Sequence, residues 1–573
     1  MVRKLLGVVV PLALLTFPGS PARATAPDDR AILDQALPPA AIARKLGRYE
    51  PVSLGVPPAS IPADLMPMLG PLREAADTID RIYWEQVSPE GRAMLDVLSA
   101  SGKKEAQALA RFLQIQYGPW DAYADDAPFI GSAHRPLGAN FYPRDVSRRE
   151  LDARVDGDPA VLERVWSPYT VVVRHNGTLD GVPYAQAYGD LLKRAATSLV
   201  EAADAYKCSG AACPCAPFAD FLRARAASLL SDDYRKSEVL WLFARDCPID
   251  AAIGPYEFYE DRLLGLKTAF EAIVYWRDSA ETEHYAKVGD RLEALVKALP
   301  MSDAVRQRFL AVRPSPITVG DVLYTAGGAR AGFQIRAFLL PNDEEIQRTR
   351  GTKNVILRNV VRAKFEKLAT RVARRVLTDD LAKKVEFDTY FDFLVAWQLA
   401  HAVVPEPLEG AGGITTDVRF QLRGRYAYIE QVKGEVVALL NQFALVDAGV
   451  FHAAGDDAVI ATYLAGLFDG IRLAGGTPQT MARTIVYNWL ARAWAVRYDP
   501  GARRFEVNPS ALRPAVRGLA AEALEILGRG DYDGAGRLIV QFGIMPGEMR
   551  EKLATLEDLP LDVLPNYTSM AAP

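Results

Sequence analysis

Apolar residues recur at helical spacing over several windows of this chain, and this periodicity limits the fold class more than any other feature of the sequence. A repeat of apolar positions near every 3.6 residues predicts helices that bury one face. The windows in which this spacing dominates are residues 190–205, 218–230, 364–376, 484–496 and 514–527. Shorter β-like runs predict strands at residues 170–174, 334–340 and 355–357. The sequence therefore predicts a mainly helical α+β fold.

The length and the apolar content of the chain set the number of globular units. The chain has 573 residues, of which 50% are hydrophobic, and we find no internal repeat or low-complexity tract in it. A chain of this size buries a large core and divides into more than one unit. We therefore predict two lobes that pack closely together rather than two units joined by a linker.

The N-terminus has the order of segments that is typical of a signal peptide. Arg3 and Lys4 make residues 1–4 a basic segment, residues 5–17 form an apolar run broken by Pro11, and a small-x-small cleavage signal ends at Ala24. We expect cleavage after Ala24, and no cysteine follows this site that would carry a lipid anchor. Removing Arg3, Lys4 and Arg23 lowers the formal net charge from -4 to -7. The sequence predicts a soluble protein exported to a periplasm, without membrane insertion and without nucleic-acid binding.

The chain holds four cysteines, Cys208, Cys213, Cys215 and Cys247. In an oxidising compartment an even number predicts two disulfides. Cys213 and Cys215 are too close along the chain to bridge each other well. We expect each of them to pair elsewhere, which leaves two connectivities open. A structural zinc site with four thiolates is the alternative, but the spacing lacks the usual Cys-x-x-Cys pairs.

The residues Trp397-Gln398-Leu399-Ala400-His401 have the spacing, but not the composition, of a His-Glu-x-x-His zinc motif. Positions i and i+4 of a helix share a face, so two histidines there can bind one zinc ion while the glutamate activates the metal-bound water. Trp397 cannot coordinate a metal, and Gln398 cannot accept a proton from water. Taken alone, this window would be interpreted as helical core with one buried histidine.

Several separated segments, in the same order along the chain, resemble one family. They are Ile-Gly-Pro-Tyr-Glu-Phe-Tyr-Glu-Asp at 253–261, Ala-Phe-Glu-Ala at 269–272, Leu-Pro-Asn-Asp at 340–343, Gly-Thr-Lys-Asn-Val at 351–355, Gly-Ala-Asn-Phe-Tyr-Pro at 138–143 and Ser-Pro-Tyr-Thr-Val at 167–171. Together they resemble the dipeptidyl-peptidase III family, peptidase family M49, and in particular its bacterial zinc-hydrolase branch. Ordered matches of this kind are far more specific than one short motif.

The resemblance implies which residues occupy the zinc-binding positions. The first zinc histidine falls on Trp397, the general-base glutamate on Gln398 and the second zinc histidine on His401. The third ligand, a glutamate of a Glu-Glu-x-Lys/Arg-Ala-Glu/Asp motif, falls on Gln431 within residues 430–435. One of three protein ligands is therefore retained, and we call this zinc site degenerate.

The resemblance also implies a set of residues in a substrate cleft. The catalytic tyrosine of the family falls on Tyr259, next to Glu257 in the same aromatic and acidic segment, and a substrate-binding asparagine falls on Asn342. A histidine that stabilises the transition state falls on Gln479, and an asparagine that holds the peptide backbone falls on Leu339. We expect Asn342, Glu257 and Gln479 to bind substrate.

The fold implied by the resemblance has two lobes with a wide cleft between them. The lower, mixed α/β lobe would take residues 25–278 and 315–365. The helical upper lobe would take residues 279–314 and 366–573 and would carry the degenerate zinc motif. The ligand would bind between the two lobes.

The composition of the degenerate site predicts that no cofactor is bound. Catalytic zinc needs three protein ligands, and amide oxygens are poor substitutes for carboxylate or imidazole. Glutamine at 398 and 431 keeps the shape of glutamate and removes a negative charge that would lack its cation. An improvised metal site built from His401 with Glu430 and Glu435 is a smaller alternative.

Three functions follow from these residues. The favoured one is a pseudoenzyme that binds a peptide or another extended ligand without hydrolysing it. The second is an enzyme with metal-free acid-base chemistry, for which the candidate catalytic residues are Tyr259, His401 and Gln398. The third is a residual zinc-dependent dipeptidyl peptidase with unusual ligands.

Overall fold

The structure, a computed structural model, describes residues 28–155, 159–175, 177–208, 213–309, 316–409, 415–473 and 477–570. The predicted signal peptide, residues 1–24, lies outside the described residues. The α-helices in chain order are α1 (Asp29–Gln35), α2 (Pro39–Leu46), α3 (Met66–Val87), α4 (Pro89–Ala100), α5 (Lys104–Gln116), α6 (Arg148–Val155), α7 (Pro159–Trp166), α8 (Tyr184–Ala187), α9 (Gly189–Ala205), α10 (Ala216–Ser231), α11 (Arg235–Phe243), α12 (Ser279–Gly289), α13 (Leu292–Ala298), α14 (Asp303–Arg306), α15 (Glu344–Arg350), α16 (Arg358–Lys364), α17 (Thr370–Val376), α18 (Asp379–Ala382), α19 (Phe387–His401), α20 (Val418–Leu422), α21 (Tyr426–Asp447), α22 (Asp456–Leu473), α23 (Pro478–Arg492), α24 (Pro509–Arg529), α25 (Tyr532–Phe542) and α26 (Gly547–Ala554).

The strands in chain order are β1 (Tyr49–Leu54), β2 (Trp120–Asp121), β3 (Ala127–Pro128), β4 (Thr170–His175), β5 (Thr178–Pro183), β6 (Ile249–Glu257), β7 (Ala269–Arg277), β8 (Ile317–Gly327), β9 (Ala337–Leu340), β10 (Lys353–Leu357), β11 (Leu408–Glu409), β12 (Thr415–Thr416), β13 (Val496–Asp499), β14 (Arg504–Val507) and β15 (Asp562–Tyr567). Short 3-10 helices occupy Pro58–Ser60 and Arg423–Arg425, and a π-helical turn at Phe365–Ala369 joins α16 to α17. The predicted mainly helical α+β class is confirmed.

One five-stranded sheet organises the described part of the chain, with the strand order β6-β7-β8-β10-β9. The pairs β6/β7, β7/β8 and β10/β9 are antiparallel, and β8/β10 is parallel. In β10, Val355 and Leu357 belong to one hydrophobic core and Ile356 to another. Because successive side chains of a strand point to opposite faces, the sheet separates the two cores.

Each core is built mainly from helices that pack on one side of this sheet. The first core combines α3, α5, α9 and α10 with the sheet and includes the buried Trp84 and Phe221. The second combines α16, α17, α19 and α21 to α24 and includes the buried Val395 and Leu439. The C-terminal strand β15 pairs in parallel with β1 and returns Tyr567 to the first core. The predicted lobe boundaries, which assigned residues up to 573 to the helical lobe, stay a prediction.

Most predicted elements occur close to the predicted positions. Windows 190–205 and 218–230 form α9 and α10, window 364–376 forms the π-helical turn and α17, and window 514–527 lies within α24. Window 484–496 extends too far, because α23 ends at Arg492 and Trp494 adopts a left-handed backbone conformation with φ of 57° before β13 begins. The strand predicted at 334–340 begins only at Ala337.

Two disulfides lie in the first half of the chain, joining Cys208 to Cys213 and Cys215 to Cys247. This is one of the two connectivities left open by the sequence, and it confirms that Cys213 and Cys215 do not pair with each other. Disulfides of this kind are typical of an oxidising compartment. Among the described helices, none combines the length and the apolar character needed to cross a membrane.

Candidate functional site

The window Trp397 to His401 forms the last turn and a half of α19, which packs against α21. The apolar face of α19, with Val395, Ala396 and Leu399 buried at helical spacing, lies in the second core. Trp397, Gln398 and His401 stand at its margin and are partly exposed. The helix therefore positions these three side chains at the edge of the core.

The Trp397 and His401 side chains contact each other and α21. Their ring centroids are 4.2 Å apart with an interplanar angle of 77°. A Cβ atom at Gly434 of α21 would lie 3.1 Å from Cε1 and from Nε2 of His401 and 3.6 Å from Nε1 of Trp397. The absence of a side chain at Gly434 thus allows the two rings to lie directly against the backbone of α21.

A polar network links His401 to α21 and to the end of α19. His401 Nδ1 lies 3.2 Å from Glu430 Oε1, which also pairs with Lys433 Nζ at 2.8 Å. The buried Lys433 ammonium donates hydrogen bonds to the carbonyl oxygens of Ala400 and Val403, at 2.8 and 2.9 Å. These carbonyls lie at the C-terminus of α19, where intrahelical donors are missing. Lys433 therefore fixes the end of the helix that carries His401.

The pKa values of Glu430 and Lys433 are shifted by burial and by the contact between the two side chains. Burial opposes ionisation of Glu430, but hydrogen bonds with His401 and Lys433 and the charge of Lys433 outweigh it, so the pKa of Glu430 lies below its ordinary value. Burial lowers the pKa of Lys433, although the nearby Glu430 carboxylate opposes this shift. Lys433 and His401 both contact the same carboxylate oxygen, so the network holds Glu430 against the imidazole.

The residues at the implied zinc positions do not fit a zinc ion. Three buried polar atoms there, His401 Nε2, Glu430 Oε2 and Gln431 Oε1, have no hydrogen-bond partner among the described residues. An indole, an imidazole and a primary amide do not form a catalytic zinc shell, which requires three anionic or imidazole donors. Within the described ranges, no group of three or more His, Cys, Asp or Glu residues is placed to hold a metal ion.

Four predicted site residues line a single cavity of 420 Å³ at the carboxyl end of β6 and near β9. Glu257 and Tyr259 come from the end of β6, Asn342 follows β9, and Gln398 reaches the cavity from α19. Leu339, the position implied to lack the family's asparagine, also lines it. The structure therefore brings three separate sequence regions of the predicted cleft together.

A buried carboxyl that the prediction did not name also lines this cavity. Glu271, on β7, is only 4% exposed, and burial followed by the charge of Glu257 raises the pKa of Glu271 to about 8. Burial also raises the pKa of Glu257, while a hydrogen bond from Asn342 opposes the shift. An acidic residue in the apolar run Ala-Phe-Glu-Ala was a signal that could have identified Glu271.

The cavity holds uncompensated acidic groups. Glu260 pairs with Arg135 and accepts a hydrogen bond from Tyr83, but no basic side chain lines the cavity itself among the described residues. Partial desolvation, and then the charges of Glu257 and Glu271, raise the pKa of Tyr259, although 72% of its surface is exposed. The site is therefore suited to bind a cation.

Asn342 is held by the backbone on one side of the cavity. Its Nδ2 atom donates a hydrogen bond of 2.9 Å to the carbonyl oxygen of Tyr256. The residue follows the cis peptide bond between Leu340 and Pro341, at the point where the chain leaves β9.

The remaining predicted residues lie elsewhere. His401 and Gln431 do not line the cavity that contains Tyr259, so Tyr259 and His401 are not brought together there. Gln479 is exposed in the first turn of α23. Glu435, considered for an improvised metal site, is buried and accepts a hydrogen bond of 3.0 Å from Arg483 Nε. The predicted roles of these residues stay predictions.

Comparisons with known proteins agree with the arrangement of the fold. Residues 228–393 match the sequence profile of peptidase family M49. The structure of DPP III from Caldithrix abyssi is similar with a TM-score of 0.88 and 31% sequence identity, covering 92% of this chain and 99% of that chain. The structure of dipeptidyl-peptidase III from Corallococcus sp. strain EGB is similar with a TM-score of 0.79 and 29% identity, covering 93% of this chain and 98% of that chain.

A curated plant protein is also similar. Nudix hydrolase 3 of Arabidopsis thaliana is 26% identical over 578 residues, which span 91% of this chain and 73% of that protein. The matches to the two dipeptidyl-peptidase III structures cover more than 90% of this chain and nearly all of theirs, and one of these structures exceeds 30% identity. The chain belongs to the dipeptidyl-peptidase III family, peptidase family M49.

Proposed function

We propose that this protein is an exported member of the family that binds peptides in its cleft and does not hydrolyse them through zinc. The observation that carries the proposal is the contrast between two neighbouring groups of residues. Tyr259, Asn342 and Glu257 share one cavity with the buried Glu271. The positions implied to bind zinc hold Trp397 and Gln431 beside His401. Tyr259 and Asn342 are retained on the peptide-binding side, although Leu339 replaces a second asparagine there, whereas the hydrolytic side lacks its general base and two of its three zinc ligands.

The absence of a general base supports the second half of the proposal. Gln398 faces the cavity, but an amide cannot take a proton from water at neutral pH. Without a glutamate there and without a metal to lower the pKa of water, a bound peptide meets no activated nucleophile. The cavity wall therefore has side chains that can hydrogen-bond a peptide, but it lacks the groups that would hydrolyse the peptide bond.

We further propose that Glu257 and Glu271 recognise the ammonium group of a peptide N-terminus. The two carboxyls line the same cavity, and among the described residues no Lys or Arg lines it. Burial keeps the proton on Glu271 when no cation is present. A positive ligand would favour the ionised form, because the pair compensates the desolvation of the carboxylate. Asn342 would then accept or donate a hydrogen bond to the first peptide unit. The cavity volume of 420 Å³ suits a short peptide segment rather than a protein.

Export is supported by two independent features. The N-terminal residues have the basic, apolar and small-residue order of a signal peptide. The two disulfides require an oxidising compartment to persist. We propose a periplasmic protein whose mature chain begins after Ala24, which N-terminal mass spectrometry of the secreted protein would test.

Calorimetry with paired peptides tests the proposed ligand. A tetrapeptide with a free N-terminus should bind the wild type, and its N-acetylated counterpart should bind at least about tenfold more weakly because the acetyl group removes the positive charge. Glu271→Gln should reduce this difference, whereas Glu557→Gln, at an exposed position, should preserve it. Equal affinity of the two peptides for the wild type would contradict recognition of the ammonium group.

A further inference from the structure

A second cavity, of 480 Å³, lies in the first-core half of the molecule and shares no lining residue with the cleft cavity. Its charged lining residues are all basic: Arg73, Arg111 and Arg330. The other lining residues include Tyr324, Tyr567 and the amide side chain of Asn566. A cavity of this size, with basic groups, aromatic surfaces and an amide, has the composition of a small-molecule site.

Arg330 reaches this cavity from the turn that follows β8. Gly327 starts the turn with φ of 60°, and a Cβ atom there would lie 2.5 Å from the carbonyl oxygen of Phe270, so the turn requires glycine. The backbone N–H of Arg330 donates a hydrogen bond of 2.9 Å to the carbonyl oxygen of Gly327. The position of the guanidinium group is therefore set by a rigid backbone turn.

The guanidinium of Arg330 is held by aromatic rings rather than by a carboxylate. Its central carbon lies 4.7 Å from the ring centroid of Tyr324 and 5.4 Å from that of Tyr567. Its Nε atom is buried and has no hydrogen-bond partner among the described residues. No carboxylate among the described residues forms an ion pair with Arg330, so an anion in the cavity would supply a charged partner.

Arg73 and Arg111 extend the positive charge toward solvent. Arg73 lies 5.0 Å from the Tyr324 ring centroid, and its Nε pairs with Asp77 Oδ2 at 3.3 Å. Its Nη1 donates to the carbonyl oxygen of Met570. Arg111, on α5, is exposed at the cavity wall. The basic groups thus run from a half-buried position to the surface.

The nearby acidic groups are already engaged by protein donors. Asp77 accepts a hydrogen bond from the Tyr324 hydroxyl in addition to pairing with Arg73. Asp80 accepts hydrogen bonds from the Tyr117 hydroxyl and from the backbone N–H of Gly327, the latter at 2.9 Å. Neither of these carboxylates lines the cavity. The charge of the cavity lining itself therefore comes from the three arginines.

We propose that this cavity binds a small organic anion through a phosphate or carboxylate group held by Arg330 and Arg111. The planar guanidinium group of arginine can donate two parallel hydrogen bonds to two oxygens of a phosphate or a carboxylate. The ammonium group of lysine cannot form this pair of bonds. The Tyr324 and Tyr567 rings would contact the apolar or planar part of the ligand. This site is separate from the peptide cleft and does not depend on the function proposed for that cleft.

Calorimetry at low ionic strength with three probes tests the proposal: inorganic phosphate, succinate and adenosine monophosphate. We expect at least one probe to bind the wild type. Arg111→Glu and Arg330→Lys should each weaken this binding by about tenfold or more, because one reverses the charge and the other removes the fork. Arg291→Glu, which changes an exposed arginine in the second-core half, should leave it unchanged.

The pattern across the probes identifies the ligand group. Preference for phosphate or for succinate assigns the anion, and tighter binding of the nucleotide than of phosphate supports contact with the tyrosine rings. Arg330 packs between aromatic rings, so its substitution can affect folding, and thermal unfolding of each variant is measured first. If Arg330→Lys does not fold, Arg111→Glu alone tests whether the cavity binds an anion. Binding of every probe weaker than about 10 mM, or equal binding by folded Arg111→Glu, overturns the proposal.

Discussion

The Trp397 indole packs edge to face on the His401 imidazole, with the ring centroids 4.2 Å apart. These residues stand at the i and i+4 positions where the family resemblance places two zinc-binding histidines. His401 instead contacts Glu430 through Nδ1 at 3.2 Å. The space in which two imidazoles would share an ion is used here for aromatic packing and for a local ion-pair network between α19 and α21.

The first prediction concerns the metal content of the purified protein. Wild type dialysed against a mild chelator should retain far less than one equivalent of zinc, because Trp397 and Gln431 cannot replace an imidazole and a carboxylate. The triple variant Trp397→His, Gln398→Glu, Gln431→Glu should gain zinc. Elemental analysis measures both, and stoichiometric zinc in the dialysed wild type would refute the proposal that zinc binding is lost.

The second prediction concerns hydrolysis. Wild type should not cleave dipeptidyl-naphthylamide substrates above the buffer rate, since activation of water by metal and by a general base are both missing. The fluorescence of the released naphthylamine measures the rate. The single variant Gln398→Glu should remain inactive, because it restores only the general base. Wild-type activity that a chelator abolishes would instead support the residual peptidase.

The third prediction concerns the cleft residues Tyr259 and Asn342. Tyr259→Phe and Asn342→Ala should each weaken peptide binding by about five- to tenfold, the loss of one hydrogen bond to a ligand. Phe420→Ala, a change at an exposed position outside the cavity, provides the matched control. Calorimetry with one peptide pool compares the three variants. If both cleft variants keep wild-type affinity, a small non-peptide substrate becomes the better proposal.

The fourth prediction concerns the pH dependence of stability. Burial and Glu257 raise the pKa of Glu271 to about 8 in the folded protein, whereas an unfolded glutamate has a pKa of about 4.3. Between these values the folded state holds the extra proton, so this group lowers the free energy of unfolding as the pH rises through that window. Glu271→Gln should therefore gain stability relative to wild type from about pH 5 to about pH 8, on the order of a few kcal/mol.

Denaturant unfolding at both pH values measures the difference between Glu271→Gln and wild type. Glu557→Gln, at an exposed position, should follow the wild type across the same range. A difference between Glu271→Gln and wild type that does not change with pH would show that Glu271 does not titrate in this window.

The fifth prediction concerns the contact between Gly434 and the two rings. Gly434→Ala would place a methyl group 3.1 Å from His401, whose ring is confined by Trp397 and Glu430. The overpacking should exceed the helix-propensity gain and lower the free energy of unfolding by about 1 to 2 kcal/mol. In the Trp397→Ala background, His401 can move and the loss should disappear. Denaturant unfolding of wild type, the two single variants and the double variant measures the coupling between positions 397 and 434. An equal loss of stability in both backgrounds would contradict this prediction.

The sequence alone determined the fold class and most helix positions, and its family resemblance placed Tyr259, Asn342 and Gln398 in one cleft, where they line one cavity. These conclusions rest on local information, because apolar spacing and short ordered motifs are written directly along the chain. The overextended window at 484–496 shows the limit of this information: Trp494 takes a left-handed conformation that periodicity does not encode.

Only the tertiary structure decided which groups are desolvated and which have partners. Nothing in the sequence around Glu271 indicates a shifted pKa, which is raised because β7 buries this side chain in the cavity wall beside Glu257. The role of Lys433 is not visible in the sequence, because it depends on the packing of α21 against α19, which places its ammonium group at the carbonyl oxygen of Ala400. Arg330 gains its position from a turn and from Tyr567 of the distant strand β15. Burial and electrostatics depend on contacts between residues far apart in the chain, so local pattern cannot predict them.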